Sequence, residues 1–559
     1  MTTDPEKTGY EVHETHTAHM RTITSKTVGQ VNYINAREVT NAEDLLAEIG
    51  YKQELRRTYS TLQVFGIVFS IQGLLPSIAT TMSTGLTVGT VSMIWGWFLA
   101  GFPIMGVGIA IAELASAIPT SGGLYYWTYQ YAPVGWKAIL SFIVGVTNSM
   151  DLCAGVCSIT YGFAEQILAT VYIAHDGDFK ITRPIVYGVY AAGLFLQLFL
   201  AGISSANASR LQNLSIAANV GVVILFVIAL PIVTHNTSTF NDSKFIFTSS
   251  PNFSDWPAGW SFLQFGLMPA VWTIGAFDST VHMSEESKTP SRSIPIAIIG
   301  SIAACWIGGF LLTILIAACM PTDISSIIST ESGQPLVEII FKIMGKKWAI
   351  TFSSLFAFCQ LLMSTNILTA ISRQIWAFAR DDGLPFSPWI KIVHKKLKVP
   401  INAIIISDFI ALLLGLLILA GPVASNALFS IGVIGCYVAY AIPQFLRLTS
   451  GRHIFNPGSF YTGKILSPII HIVTIIYQII ICLLEMFPET RSVEGATTMN
   501  YSVVINCGIW ILSLIYYYAF KRNIYNGPKS NLNDGEQDKI NSSSTSIDEV
   551  IPPSKTGTF

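Results

Sequence analysis

Over most of this chain, charged side chains are missing from stretches of about twenty residues at a time, and no other feature limits its fold as strongly. Asp, Glu, Lys and Arg make up 12% of the 559 residues, against roughly 25% in a soluble domain. They cluster between apolar runs. A run of ~20 apolar residues can cross a bilayer as a helix. Only helices and closed barrels are admissible there, because lipid offers backbone N–H and C=O groups no partner. Barrel strands alternate polar and apolar residues over ~10 positions, and Ile405–Ala420 shows no such alternation. An all-α membrane protein is therefore expected, with the lipid bilayer as its first partner.

About twelve spans are expected, near residues 61–83, 90–114, 137–171, 184–204, 211–234, 258–282, 294–320, 347–380, 401–420, 424–445, 465–487 and 500–520. The polar segment 1–58 reads as a cytosolic tail, within which Leu45–Arg57 could form an amphipathic helix on the membrane surface. Residues 521–559 read as a disordered cytosolic tail. No cleaved signal is expected, so the first span would direct insertion. With the N-terminus inside, cations such as Lys52, Arg56, Arg57, Lys391, Lys395, Lys396 and Arg447 fall on inner segments. They outnumber the outer set, as the positive-inside rule requires. The loop between spans five and six then lies outside and carries glycosylation sequons at Asn236, Asn241 and Asn252. The net charge of −1 argues against nucleic acid. The eight cysteines fall in or beside apolar runs with no CxxC pair, which suits buried packing residues. No HExxH, GxSxG or Walker-type loop occurs, so neither a hydrolase nor an ATP-driven pump is supported. The modest tails do not favour a nutrient sensor. No metal or organic cofactor is expected.

Two spans are rich in Gly, Pro and small polar residues at their centres. Span one contains Ser70-Ile71-Gln72-Gly73 followed by Pro76, and span six contains Trp272-Thr273-Ile274-Gly275-Ala276-Phe277-Asp278. They open two five-span halves, where an inverted repeat would place its broken helices. A break frees backbone N–H groups that favour a carboxylate and C=O groups that favour a cation. The glycines could instead serve only close helix packing.

Three motifs then carry a resemblance. Glu113-Leu-Ala-Ser116-Ala-Ile-Pro119-Thr-Ser-Gly122-Gly123-Leu-Tyr125 is similar to a signature of the amino acid–polyamine–organocation superfamily. So are Gly275-Ala-Phe-Asp278 with Glu285, Glu286, Pro290, Arg292 and Pro295, and Ala379-Arg380-Asp381-Asp382-Gly383. LLAEIGYKQELRR, GGLYYWTYQYAP and MPAVWTIGAFDS resemble fungal GABA permeases of the amino acid/choline transporter branch. The resemblance implies a LeuT-like core of two inverted five-helix repeats over residues 59–446, plus two further helices over 447–520. It implies uptake of 4-aminobutyrate, proton-coupled, with polyamine or choline as the alternative cargo. Relatives occur in plasma and vacuolar membranes. Nothing in the pattern specifies an oligomeric state.

On that reading Ser70, Ile71, Gln72, Gly73, Thr273, Ile274, Gly275 and Ala276 form the substrate site, with Trp272 or Phe277 receiving an ammonium group. Relatives for α-amino acids carry a Gly-rich run where this chain has Ser-Ile-Gln-Gly, which suits a longer ω-amino acid. Asp151, inside span three, is either a functional acid or a solvated position near one face. The resemblance implies gate roles for Glu113 and Asp278, with Arg292 and Arg380 as partners. Glu285 and Glu286 read as exposed charge or as gate residues, and His282 as a structural histidine. Some relatives use a span-five lysine in place of sodium; span five here has none, so the coupling residue is open.

Overall fold

The computed structural model describes residues 42–203, 205–492, 495 and 499–531. Of the tails expected over residues 1–58 and 521–559, residues 1–41 and 532–559 lie outside the described residues. The described chain is helical, and its one bridge of β type joins Tyr59 to Ser287. Among the described residues, eleven helices are long and apolar enough to cross a membrane. They are Thr61–Gly85, Gly89–Ala117, Val134–Ala174, Arg183–Ala201, Arg210–Thr237, Pro290–Cys319, Lys346–Arg380, Ile401–Ala420, Ala427–Leu448, Leu466–Met486 and Tyr501–Lys521. These are spans one to five and seven to twelve.

Span six is missing from that set because it is in pieces. A π-helical turn, Phe262–Gly266, leads into the helix Met268–Thr273; residues 274–278 are not helical, and a short helix Ser279–His282 follows. Pro269 brings no N–H to the ladder, so the preceding turn cannot keep regular α bonding. Span one is broken too. Its halves, Thr61–Gln72 and Leu74–Gly85, meet at Gly73, which has φ 40° and ψ 66°. Its start is fixed by a capping box, in which Ser60 and Gln63 satisfy each other's backbone N–H groups.

Spans three and eight pack along each other, and span seven packs on spans one and two. Where span two crosses span six the backbones touch: a Cβ on Gly96 would lie 2.1 Å from the Gly266 carbonyl oxygen. Burial separates core helices from lipid-facing ones. The most apolar stretches of spans one and eight are 78% buried, whereas that of span twelve is 17% buried. Phe195, Phe199, Ile228, Ile472 and Ile476 point outward from the bundle, as lipid contact requires.

The segment before span one is not a surface helix. Among its described residues only Ala42–Glu48 is helical, and the chain then runs extended to Tyr59. Leu46, Ile49, Tyr51 and Leu55 are buried against protein, so their apolar side chains need no membrane.

Candidate functional site

The two breaks face each other. Gln72 Nε2 donates to the Ile274 carbonyl at 3.5 Å, its Oε1 accepts from Cys305 Sγ, and its carbonyl accepts from Ser77 Oγ at 2.7 Å. Between them lies a cavity of about 40 Å³. Ile71, Gln72, Trp272, Thr273, Gly275 and Ala276 line it, as the sequence pattern suggested. Ala276 holds φ 54°, which shows how sharply span six turns. At the start of the second half of span one, Leu74 and Leu75 sit where no intrahelical acceptor exists for their N–H groups.

The other four expected residues are not among the lining. Ser70 turns away and bonds Ser215 Oγ at 2.5 Å, where Asn219 and Asn366 join it. Gly73 packs on Met363, Ile274 offers its carbonyl to Gln72, and Phe277 lies 5.3 Å from the Tyr440 ring. The sequence reading missed Gly155, Ser158 and Ile159 of span three, and Ser77 and Ile367. The span-three trio shares one helix face by its i, i+3, i+4 spacing, a signal present in the sequence.

On the face away from the termini, a vestibule of about 470 Å³ opens. Phe429 and Tyr161 line its floor, and Trp272 lies beneath, with its ring centroid 5.1 Å from that of Phe429. These rings separate vestibule from cavity. Such a pair contributes about 0.5–1.5 kcal/mol. Phe429→Ala is therefore expected to weaken apparent substrate affinity up to about tenfold, read as the concentration dependence of exchange in vesicles.

The opposite face is shut by charge. Arg380 grips Glu285 with two bonds of 3.2 Å and stacks on the Tyr51 ring at 3.8 Å. Arg373 Nε bonds Glu286 at 2.7 Å. Both glutamates are fully buried, so the exposed-charge alternative fails. The segment before span one straps this gate. Tyr59 N–H donates to the Glu286 carbonyl and Lys288 N–H to the Tyr59 carbonyl, while Gln53 Nε2 donates to the Glu285 carbonyl. The chain after span twelve closes from the other side: Lys529 reaches Asp381 through its backbone N–H and Asp382 through Nζ.

Asp381 also accepts from Tyr51 and Tyr125. Burial pushes its carboxyl up, against the pull of Arg380 and these donors, to about 6. A group raised above its ordinary value binds a proton more tightly in the closed clasp than in the open one. Its contribution therefore grows as pH falls through about 6 and is lost as pH rises through it. Between pH 7.5 and 5 the shift favours closure on the order of tenfold. A spin label at Asn526→Cys should become more immobile on acidification, and adding Asp381→Asn should flatten that response.

Three expected partnerships are corrected. Glu113 does not meet Arg292 or Arg380. It accepts from Thr462, Ser467 Oγ and His471, with Arg447 at 3.9 Å. It therefore ties span two to spans ten and eleven. Arg292 is exposed, one turn into span seven. Asp278 is fully buried and meets neither arginine; it accepts from Tyr440 at 2.7 Å and Asn148 at 2.9 Å, with His282 at 3.5 Å. Asp151 is 3% exposed, so it is no surface acid. Of the sequons, Asn236 and Asn252 are exposed, whereas Asn241 donates to the Ala317 and Met320 carbonyls, which hold its amide in place.

Broken helices around a small cavity, a vestibule on one side and an ion-paired gate on the other define a membrane transporter of small solutes. The family model described as amino acid permease matches residues 59–510, and the chain belongs to that family. It is 52% identical over 521 residues to the GABA-specific permease of Saccharomyces cerevisiae, covering 93% of this chain and 91% of that protein. It is 32% identical to an uncharacterised amino-acid permease of Schizosaccharomyces pombe, covering 90% and 92%. It is also 32% identical to an amino-acid permease of Arabidopsis thaliana, covering 87% and 96%. The relatives are permeases, and this chain is an integral membrane transporter, not an enzyme.

Proposed function

We propose that this chain is a secondary active transporter of 4-aminobutyrate and related ω-amino acids, driven by protons and working by alternating access. The observation that carries the reading is 52% identity, along 93% of the chain, to a GABA-specific permease. The site is compatible with it. A carboxylate fits the free N–H end at Leu74 and Leu75, and an ammonium fits the carbonyl ends of span six with the Trp272 ring above it. Gln72 stands where relatives for α-amino acids carry a Gly-rich run, which suits a longer ω-amino acid. In this mechanism spans one, two, six and seven rock against spans three, four, eight and nine, as two inverted five-helix repeats would. The termini lie in the cytosol, and the membrane is the plasma or the vacuolar one.

A second reading, a diamine such as putrescine or a choline-like cation, draws on the vestibule. Glu165, Asp255, Glu485 and Glu489 line it, and among the described residues no Lys or Arg does. Uptake of labelled GABA by cells lacking their own GABA uptake decides between the two. Competition by unlabelled GABA and its ω-amino homologues, with none by α-amino acids, putrescine or choline, supports the first reading. Uptake of putrescine or choline without GABA uptake overturns it.

A further inference from the structure

One buried polar chain links the cavity to the gate, and the substrate site does not use it. Gly155, Ser158 and Ile159 of span three line the cavity. Asp151 sits one helical turn below Gly155 on the same face, toward the termini. Asn148, almost a turn further, donates its amide to both Asp151, at 3.4 Å, and Asp278, at 2.9 Å. Asp278 lies 3.5 Å from His282 Nε2. His282 Nδ1 stands 2.9 Å from the Ser121 carbonyl, and the N–H of Ser121 meets Glu285, the acid gripped by Arg380. The path thus runs from span three through the break in span six to the gate.

The groups facing these acids define what they can do. Asp151 is faced by Asn148 and Cys153 of its own span, Asp278 of span six, and Cys436 and Tyr440 of span ten. Asp408 of span nine lies beyond Cys153. Asp278 is faced by Asn148, Tyr440, Cys436 and His282. Among the described residues, neither acid is paired with a lysine or arginine. Two carboxylates sharing one amide, away from water and without a fixed cation, cannot both stay ionised. Among the described residues Asp151 Oδ2 is buried with no hydrogen-bond partner, and His282 Nε2 is buried with the Asp278 carboxylate beside it at 3.5 Å. A carbonyl can only accept, so His282 Nδ1 carries the hydrogen and Nε2 is free to take a proton from Asp278.

We propose that Asp151, Asp278 and His282, spaced by Asn148, form the proton-binding unit of transport, with one proton shared by the two carboxylates in the state described here. This rests on the proton-driven reading given above. A proton from water on the vestibule side forms an O–H bond at Asp151 Oδ2. When span six moves, the proton leaves the carboxylate pair, an N–H bond forms at His282 Nε2, and the imidazolium releases one proton to water on the termini-bearing face. One proton crosses per cycle, and nothing is oxidised or reduced. Because Asp278 sits at the end of the unwound segment, proton loss and movement of span six are one event.

The test uses the full chain in sealed vesicles, with labelled GABA as the probe and two measurements on each variant. One is accumulation driven by an inward proton gradient. The other is exchange of labelled for unlabelled GABA, which needs no net proton transfer. Asp151→Asn and Asp278→Asn each mimic the protonated acid. They are expected to lower gradient-driven accumulation at least tenfold while exchange continues within about threefold of the wild type. His282→Gln is expected to lower accumulation and flatten its pH profile. Should Asp278→Asn fail to fold, Asp151→Asn and His282→Gln carry the test. Variants that still accumulate GABA in response to the gradient overturn the unit. Folded variants that lose exchange as well overturn it too, because the acids then serve binding or structure. A wild type that exchanges GABA but ignores the gradient defeats the proton-driven reading itself, and the unit with it.

Discussion

Arg373→Ala is expected to remove most of the folded protein from the membrane. Arg373 is 1% exposed, and its Nε bonds the fully buried Glu286 at 2.7 Å. It also donates to the Thr369 carbonyl and to Ser372 Oγ. Removing one partner leaves Glu286 as a buried, unpaired charge, which costs about 3–5 kcal/mol. Net stability of a folded domain is about 5–15 kcal/mol, so the loss is a large share of it. The backbone of Glu286 also anchors Thr58 and Tyr59, so the strap before span one loosens with it. Replacing both partners with apolar residues of similar size should be far milder. Size-exclusion profiles of fluorescently tagged protein should show a collapsed monodisperse peak for Arg373→Ala and recovery for Arg373→Met with Glu286→Leu. Equal collapse in the double variant would mean that the charges, and not their pairing, hold the gate.

Gly73→Val is expected to abolish transport while leaving most of the bundle intact. Gly73 has φ 40°, in the left-handed region where a β-branched residue is a strong outlier. The backbone strain alone costs about 1–3 kcal/mol. A Cβ would also fall 2.0 Å from Met363 Sδ, and Met363 is fully buried with no room to retreat. The cheapest escape is to rewind span one through the break, which closes the interruption beside the cavity. Uptake should fall more than a hundredfold, with the protein still reaching the membrane. Met363→Ala removes the clash and leaves the strained φ, so it should rescue Gly73→Ala in part and Gly73→Val hardly at all. Vesicle exchange rates at matched protein content check both statements.

Much of this was legible in the sequence because a bilayer imposes its rules on short windows. Apolar runs mark the spans, and the paired interruptions at Gly73 and Gly275 mark the breaks without any knowledge of contacts. Six of the residues chosen around those breaks do line the cavity. What stayed hidden depends on which helix faces which. Ser70 lies next to Gln72 and Ile71 in sequence but turns onto Ser215 of span five. Glu113 belongs to a gate-like motif, yet its nearest hydrogen-bond donors, Thr462, Ser467 and His471, lie about 350 residues along the chain. The pairing of Glu285 and Glu286 with Arg380 and Arg373 likewise depends on span eight reaching the exit of span six. Asp151 and Asp278 lie 127 positions apart in the sequence, and only the packing of span three on span six shows that they share one amide. The segment before span one hides its partner for a related reason. Leu46, Tyr51 and Leu55 look amphipathic in isolation, and the surface they cover is protein.

The central claim is that this permease carries GABA and that protons drive it. Purified full-length protein in sealed vesicles, given labelled GABA and an inward proton gradient, tests it most directly. The account predicts transient accumulation above the external concentration, abolished when a protonophore collapses the gradient and blocked by excess unlabelled GABA. Vesicles that fill no faster than protein-free controls, or that take up putrescine or choline and ignore GABA, would contradict it.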